Sequence, residues 1–340
     1  MSILEKASQA PLGNDARSTS PTGRKTIEAW LRSALAKHAV LVVLVALTIF
    51  FCVLMPDTFA SVGNFQVMVS SQTVVLILAI GATIILRTGE FDLSLANLMA
   101  FSAVLLGVLY QHGFNGVEAV VAVLVAGLLV GLVNGFLVVK IGVSSLVATL
   151  GMLSVLSGAT FALTNGRRAT TYPEALGTFA NKTVLGLPLM TFYGWAIVLI
   201  AWYVCERTAL GRRLLFIGGN RDSARLAGMR VDRIRMGSFL AASGLATFAS
   251  IVISGSLGSI DPGIGSSYLL APFAAAFLGA TTISPGRYNA LGTLAGLYLL
   301  DVGITGLQLL GGAIWVPDVF NGVALLFAVT LGLLAGRRRA

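Results

Sequence analysis

The chain has 340 residues, of which 56% are apolar and only 11% are Asp, Glu, Lys or Arg. A soluble protein needs roughly 25–35% charged residues on its surface, so this composition excludes a soluble enzyme, a disordered chain, a disulfide scaffold and a coiled coil. The formal net charge is +9, from 23 basic and 14 acidic residues, and the chain is expected to fold in lipid.

The first segment, residues 1–36, is polar and rich in Ser, Thr, Pro and Gly. It is far longer than the basic region of a signal peptide, so it is interpreted as a flexible cytoplasmic tail before an uncleaved first helix. Residues 37–336 are then the membrane domain, and residues 337–340 form a short cytoplasmic C-terminal tail.

The membrane domain contains ten apolar intervals, of which only the ninth carries a charge, Asp301. A bilayer core about 30 Å thick needs about 20 apolar residues per helix, and backbone polar groups in lipid must be paired within the segment. The sequence therefore predicts an all-α, polytopic membrane protein with about ten transmembrane helices. The intervals are 38–56, 58–86, 93–117, 119–139, 141–166, 183–205, 236–260, 262–286, 288–317 and 319–336.

Basic residues predict the orientation, because short loops rich in Lys and Arg remain in the cytoplasm. With the N-terminus inside, ten crossings leave only Arg167, Arg168 and Lys182 of the 23 basic residues outside. Both termini are then expected in the cytoplasm. This bias explains most of the net charge, so no nucleic-acid partner is predicted.

Polar residues within the intervals are candidates for lining a translocation path. Asp301 could relay protons or cations, or it could be a carboxylate that faces a wet path or bonds to a neighbouring helix. Asp92, two residues before Ser94, could cap a helix that starts below the membrane surface. For every candidate, hydrogen bonding between helices is the alternative interpretation. The candidates are Gln72, Asp92, Asn97, Asn134, Ser154, Asp301 and Asn321.

Two patterns concern the packing of the predicted helices. Gly127, Gly131 and Gly135 form overlapping GxxxG pairs, which are typical of closely packed membrane helices. The segment 258–261, Gly-Ser-Ile-Asp, resembles the segment 89–92, Gly-Glu-Phe-Asp. With five spans in each half, the second half would have the opposite orientation in the membrane to the first, an arrangement that transporters use. The repeated segment is therefore a hint of two inverted five-helix halves.

The largest predicted cytoplasmic loop, residues 206–235, has eight arginines. Within it, Asn220 could cap a short helix, Asp222 would lie in its first turn, and Gly228 would end it. Such a helix is too short to be stable alone in water, so it should dock on the ends of the spans or on a partner with an acidic surface. A patch that binds anionic lipid is the alternative.

Motifs for catalysis are absent from the sequence. It has no HExxH, no GxSxG and no phosphate-cradling GxxxxGK[ST] loop, and no His, Cys, Asp and Glu cluster has metal-ligand spacing. The sequence therefore predicts a transport protein without its own ATPase, cofactor or metal, and disfavours a membrane enzyme. An ion-coupled secondary transporter using Asp301 or Asp92 remains the alternative.

Four segments in the same order resemble one transporter family, the permease subunits of bacterial ATP-binding cassette sugar importers of the ribose, xylose and galactose type. The resemblance extends over about residues 35–336, and the loop pattern is its most specific part. The segments are Thr88-Gly89-Glu90-Phe91-Asp92-Leu93-Ser94, Gly131-Leu132-Val133-Asn134-Gly135, Ala148-Thr149-Leu150-Gly151-Met152, and Thr208-Ala209-Leu210-Gly211-Arg212 leading to Ile217-Gly218-Gly219-Asn220.

The resemblance implies a pair of permeases around one path, ATPase subunits docked beneath that bind the ATP, and a periplasmic binding protein that delivers a pentose or hexose. The helix at 221–227 would couple ATP-driven closure to the spans. Departures such as Glu90, where the family usually has Gly, leave a polyol or a signalling molecule as alternative substrates. The implied coupling residues are Arg212, Gly218, Gly219, Asn220, Arg221, Asp222, Ala224, Arg225 and Gly228.

Overall fold

A computed structural model of the protein describes residues 38–337, with side chains up to residue 330. The tail expected at residues 1–36 and residues 338–340 lie outside the described residues. The last helix continues through Arg337, where the C-terminal tail was expected to begin.

The described chain is predominantly helical, as the composition predicted. Its first half contains α1 (Ala39–Leu54), α2 (Val62–Ser71), α3 (Thr73–Leu86), α4 (Leu95–Gln111), α5 (Gly116–Phe136) and α6 (Ser145–Thr164). The rest contains α7 (Glu174–Asn181), α8 (Leu189–Trp202), α9 (Ala209–Gly219), α10 (Arg221–Leu226), α11 (Val231–Leu257), α12 (Leu270–Gly279), α13 (Ala290–Leu309) and α14 (Val316–Arg337). One antiparallel hairpin pairs β1 (Thr183–Val184) with β2 (Leu187–Pro188).

Each of the ten predicted apolar intervals contains a helical segment. Six of these segments are long and apolar enough to cross a membrane, whereas those of α1, α4 and α12 are shorter. Helix α14 has 22 residues, of which the side chains are described only up to residue 330. Helices α2 and α3 form one span of 25 residues interrupted at Gln72. Helices α5 and α8 end in π-helical turns, Leu137–Ile141 and Tyr203–Arg207. The chain is therefore a polytopic membrane protein.

Two predicted intervals are only partly helical. The interval 183–205 begins with the β1–β2 hairpin, which turns at Gly186 with φ +81, and Pro188 then precedes α8. The interval 262–286 is helical only from Ile264 to Gly279, first as a 3-10 helix. Its end is irregular because Pro285 cannot donate a backbone hydrogen bond and Gly286 adopts φ +85.

Helices α3 and α11 form the centre of the bundle. Every residue of α3 except Ile84 is buried, and α11 packs against α3, α4, α5 and α7. The glycine pattern of α5 faces α11, where a methyl group on Gly131 would lie 2.6 Å from the Ser243 hydroxyl. Likewise, a methyl group on Gly296 of α13 would lie 2.7 Å from the carbonyl oxygen of Ala275 in α12. The predicted close packing is confirmed.

The ends of the helices form two groups of loops. We call the first group the basic end, because it contains Arg87, Lys140 and the loop 206–235, joined by contacts such as that of Lys140 Nζ with Asp232 Oδ2 at 3.7 Å. At the opposite end, Arg168 pairs with Asp261 at 3.4 Å, and Ala169 forms an antiparallel bridge with Ile260. The basic residues therefore divide between the two ends as the sequence predicted.

The two Gly-x-x-Asp segments adopt the same local geometry at opposite ends. Gly89 has φ +73 and Gly258 has φ +63, conformations that favour glycine. Asp92 Oδ1 accepts the N–H of Ser94 at 2.9 Å, and Asp261 Oδ1 accepts that of Gly263 at 2.9 Å. This correspondence supports two halves of inverted orientation.

Candidate coupling site and translocation path

Helix α10 has the local structure that its sequence predicted. The Asn220 side chain accepts the N–H of Ser223 at 2.9 Å, which satisfies one of the free donors at the helix start. Asp222 lies in the first turn, where its negative charge is favourable. Gly228 adopts φ +76, so the chain turns away from the helix there. The sequence did not predict α9, which Thr208 caps by accepting the N–H of Gly211.

Helix α10 docks on the protein through one small residue. Ala224 is fully buried in a cluster with Ile217 of α9 and Val231 of α11. The opposite face is open, and Leu226 is 91% exposed. Because six residues and one buried methyl group cannot stabilise a helix in water, further contacts must fix its position.

A buried carboxylate supplies those contacts. Glu90, which is 3% exposed, accepts from Arg221 of α10 at 2.6 Å. The same carboxylate oxygen accepts from Nε of Arg235 in α11 at 2.9 Å and from Nη2 of that residue. Arg221 also donates to the carbonyl oxygen of Gly89 at 3.2 Å. Charge-assisted bonds of this kind are stronger than neutral ones, so Glu90 joins α10 to the start of α4 and to α11.

A second ion pair at the basic end has one buried partner, Arg87. The Arg87 side chain is fully buried and donates to Glu206 Oε1 at 2.7 Å, and to the carbonyl oxygens of Cys205 and Tyr288, each at 2.7 Å. These bonds join the end of α3 to α8 and to the loop before α13. Burial raises the pKa of Tyr288 to about 12, so its phenol is neutral at physiological pH.

The implied coupling residues gather at the basic end, in two groups. Asn220, Arg221, Asp222, Ala224, Arg225 and Gly228 belong to α10 and its flanks, and Arg225 also pairs with Asp232 at 3.3 Å. Gly218 lies against the end of α3, where a methyl group would come within 3.1 Å of the backbone nitrogen of Gly89. Arg212, Gly218 and Gly219 line a cleft of about 520 Å³ together with Arg87 and Arg287.

Two of the candidate path residues, Asp92 and Asn134, form a buried group at the start of α4. Asp92 Oδ1 accepts from the Ser94 hydroxyl at 2.5 Å and from its N–H, and Asn134 Nδ2 donates to the Ser94 oxygen at 2.9 Å. Asp92 is 1% exposed and Asn134 is fully buried. Asp92 therefore forms a turn with Ser94, the residue before α4, and the expected cap is not formed, because its carboxylate accepts the N–H of Ser94 rather than one in the first turn of the helix.

Gln72 and Asp301 form a separate pair between two spans. Gln72 Nε2, at the interruption between α2 and α3, donates to Asp301 Oδ1 at 2.7 Å. Asp301 is 5% exposed. The structure thus agrees with the expectation of a carboxylate that is hydrogen-bonded to a neighbouring helix.

The other three candidates are apart from these groups. Asn97 donates to the carbonyl oxygen of Leu153 at 3.1 Å, whereas Ser154 is exposed and donates to Leu150 of its own helix. Asn321 lies on α14 and is 9% exposed. The seven candidates do not converge on one cavity, so a path through them stays a prediction.

Sequence reasoning missed the three residues that build the ion pairs: Arg87, Glu206 and Arg235. Each lies next to the end of an apolar interval, where a charge ordinarily marks the membrane boundary. The sequence signal for Glu90 was its departure from the glycine usual in the resembling family. Among residues 38–337, no group of three or more His, Cys, Asp or Glu side chains could hold a metal ion.

Comparison with known proteins agrees with this architecture. Residues 64–329 match the family model described as branched-chain amino acid transport system / permease component. The ribose import permease protein RbsC of Escherichia coli strain K12 is 31% identical over 306 residues, which is 89% of this chain and 94% of that protein.

The autoinducer 2 import system permease protein LsrC of Salmonella typhimurium strain LT2 is 30% identical over 268 residues, 79% of this chain and 77% of that protein. No solved structure gives a significant match. The family model covers most of the described residues, and both relatives are import permeases. This chain therefore belongs to the family of branched-chain amino acid transport system permease components.

Proposed function

We propose that this permease is the membrane subunit of an ATP-driven importer in the bacterial inner membrane and that it carries a monosaccharide, either a pentose or a hexose. The two relatives described above import ribose and autoinducer 2. The observation that carries the coupling part of the proposal is α10, a capped helix that is exposed on one face and joined to two membrane helices through Glu90.

The partners follow from the two ends of the bundle. An ATPase subunit, which would bind the ATP, docks on α10 at the basic end, and this end faces the cytoplasm together with both termini. A periplasmic binding protein delivers the sugar to the opposite end. The sequence has no phosphate-cradling loop of its own, which supports a separate ATPase.

A second copy of the chain completes the path. Along α6, Gly151, Ser154 and Gly158 form an exposed row with open space above both glycines. Small residues let membrane helices approach closely, so this row supports a homodimer with Ser154 at the contact. Oxidation of a Ser154→Cys variant in membranes should yield a cross-linked dimer, whereas an unchanged monomer would contradict this arrangement.

Docking of the ATPase is tested at the exposed tip of α10. Leu226→Glu should reduce the amount of ATPase that copurifies with the tagged permease, because it places a charge on the proposed contact without disturbing the buried Ala224. The matched control is Leu185→Glu, since Leu185 is also 91% exposed but lies in the hairpin near the opposite end. An equal decrease in copurifying ATPase in both variants, or no decrease in either, would count against docking at α10.

The substrate and the energy source are tested together in vesicles that contain the permease, its ATPase and its binding protein. Uptake of labelled ribose or another monosaccharide should require ATP inside and should persist when ion gradients are collapsed. Uptake that follows a proton gradient without ATP would instead favour the ion-coupled alternative. If the vesicles hydrolyse ATP but take up none of the monosaccharides tested, the proposed substrate class would be refuted and the proposed energy source would not.

A further inference from the structure

An apolar cleft lies on the outside of the bundle beside the basic end. It has a volume of about 560 Å³ and is formed by α3, α8, α9 and α11. Its walls include Ile84, Ile200, Leu214 and Leu245. Ile200 is 63% exposed, which places the mouth of the cleft on the lipid-facing surface of α8.

The cleft is as long as one leaflet of a bilayer is thick. It follows α11 from Arg233 to Leu245, twelve residues further along, which corresponds to roughly 18 Å at 1.5 Å per residue. Half of the hydrocarbon core is about 15 Å. The cleft therefore reaches from the level of the loop 206–235 to about the middle of the membrane.

A basic pocket continues the cleft at its outer end. This pocket, of about 470 Å³, is lined by Arg213, Arg230 and Arg233 together with Met229 and Ile234. Arg233 and Ile234 line both spaces, so the two adjoin at these residues.

These three arginines lack counter-charges. Within residues 38–337, none of the three takes part in an ion pair, whereas Arg221, Arg225 and Arg235 of the same loop are all paired with carboxylates. Uncompensated guanidinium groups at the membrane surface attract anions, and the guanidinium fork matches the geometry of phosphate. Exposed at this surface, the three guanidinium groups make the pocket suited to a negatively charged group from outside the described protein.

We propose that the cleft and the basic pocket together form a binding site for an anionic phospholipid of the adjacent leaflet. One acyl chain lies in the cleft along α11, and the phosphate of the headgroup lies among Arg213, Arg230 and Arg233. An anionic lipid satisfies both halves of the site, since each basic residue near an anionic headgroup contributes about 1 kcal/mol. A zwitterionic lipid brings its own cation and gains less from the pocket.

The test measures lipid retention by native mass spectrometry. The purified permease is stripped of bound lipid and then incubated with equal amounts of phosphatidylglycerol and phosphatidylcholine that have the same acyl chains. The wild type should retain phosphatidylglycerol in preference. A double variant, Arg213→Gln with Arg233→Gln, should lose roughly 25-fold of that preference, about fivefold for each charge removed.

The apolar half is tested at Gly237. Gly237 lines the cleft, and a methyl group added there would meet nothing within 4 Å. We therefore expect the larger side chain of a Gly237→Phe variant to occupy part of the cleft and to reduce retention of both lipids. The matched controls are Gly322→Phe, at another membrane-helix glycine with open space, and Arg287→Gln, at an exposed arginine outside the pocket. Both controls should retain lipid like the wild type.

Three results would overturn the proposal. The first is equal retention of the two lipids by the wild type. The second is displacement of the lipid by inorganic phosphate alone, which would reduce the site to an anion pocket. The third is unchanged lipid retention in the double arginine variant together with lost copurification of the ATPase, which would assign the arginines to that partner.

Discussion

Glu90→Gln should release α10 from the membrane helices and destabilise the basic end. The Glu90 side chain is 4% exposed and that of its partner Arg235 is 7% exposed, so both charges have lost most of their hydration. Neutralising the carboxylate leaves Arg235 buried without a counter-charge. Arg221 differs, because its side chain is 40% exposed and water can solvate it when the pair is broken.

The burial of each partner determines the size of each effect. Removing one partner of a buried ion pair costs about 3–5 kcal/mol, so Glu90→Gln should lower the free energy of unfolding by about that amount. Arg221→Gln should cost about 1 kcal/mol or less, since the guanidinium is partly hydrated. Replacing both buried charges, as in Glu90→Gln with Arg235→Met, should recover most of the loss, because no unpaired charge is then left inside.

The assay is the temperature at which the detergent-solubilised permease loses its monodisperse peak in size-exclusion chromatography. We expect Glu90→Gln to unfold at the lowest temperature, with the double variant and Arg221→Gln near the wild type. Asp57→Asn is the control for loss of an exposed carboxylate. Wild-type behaviour of Glu90→Gln, or a double variant no more stable than Glu90→Gln, would refute the assigned role of the buried pair.

Three further variants test other contacts. Asp301→Asn should preserve ATP-dependent uptake, because the asparagine oxygen still accepts from Gln72, whereas lost uptake in a folded protein would indicate a proton relay. Gly131→Leu should destabilise the bundle by about 1–3 kcal/mol in the same chromatographic assay, since the side chain meets Ser243; an unchanged unfolding temperature would contradict the close contact of α5 with α11. Asn220→Ala should cost α10 about 1 kcal/mol, and combined with Arg225→Glu it should uncouple ATP hydrolysis from uptake; normal coupling in the folded double variant would refute the role of α10.

Structural features that depend on residues close together in the chain were predictable from the sequence. The apolar intervals predicted the helical segments because backbone groups in lipid have no partner other than their own helix. Asn220 and Gly228 predicted the limits of α10 because capping and helix termination depend on neighbouring residues. The glycines of α5 marked the contact with α11 for a similar reason, since a missing side chain is visible in the sequence.

Contacts between distant segments were not predictable. Glu90 and Arg235 are 145 positions apart, and no local pattern states that their side chains meet. Arg87 gave the same signal as any basic residue at a membrane boundary, although its side chain is fully buried. The path candidates failed to converge for a related reason, because a polar residue within a span bonds equally well to a helix neighbour and to a substrate.

The buried arginines also bear on how the chain is inserted during synthesis. Arg87 follows an apolar segment and Arg235 precedes one. Arginines in such positions help to determine the orientation of a membrane helix during insertion, whereas acidic residues contribute little. When Arg87 emerges from the ribosome, its partner Glu206 has not yet been made. At that stage the nascent chain displays the positive charge of Arg87, which the finished protein conceals. In the other pair the acidic residue comes first, because Glu90 precedes Arg235 by 145 positions. A substitution at either arginine consequently alters two separate events, the choice of side during insertion and the later closure of the basic end.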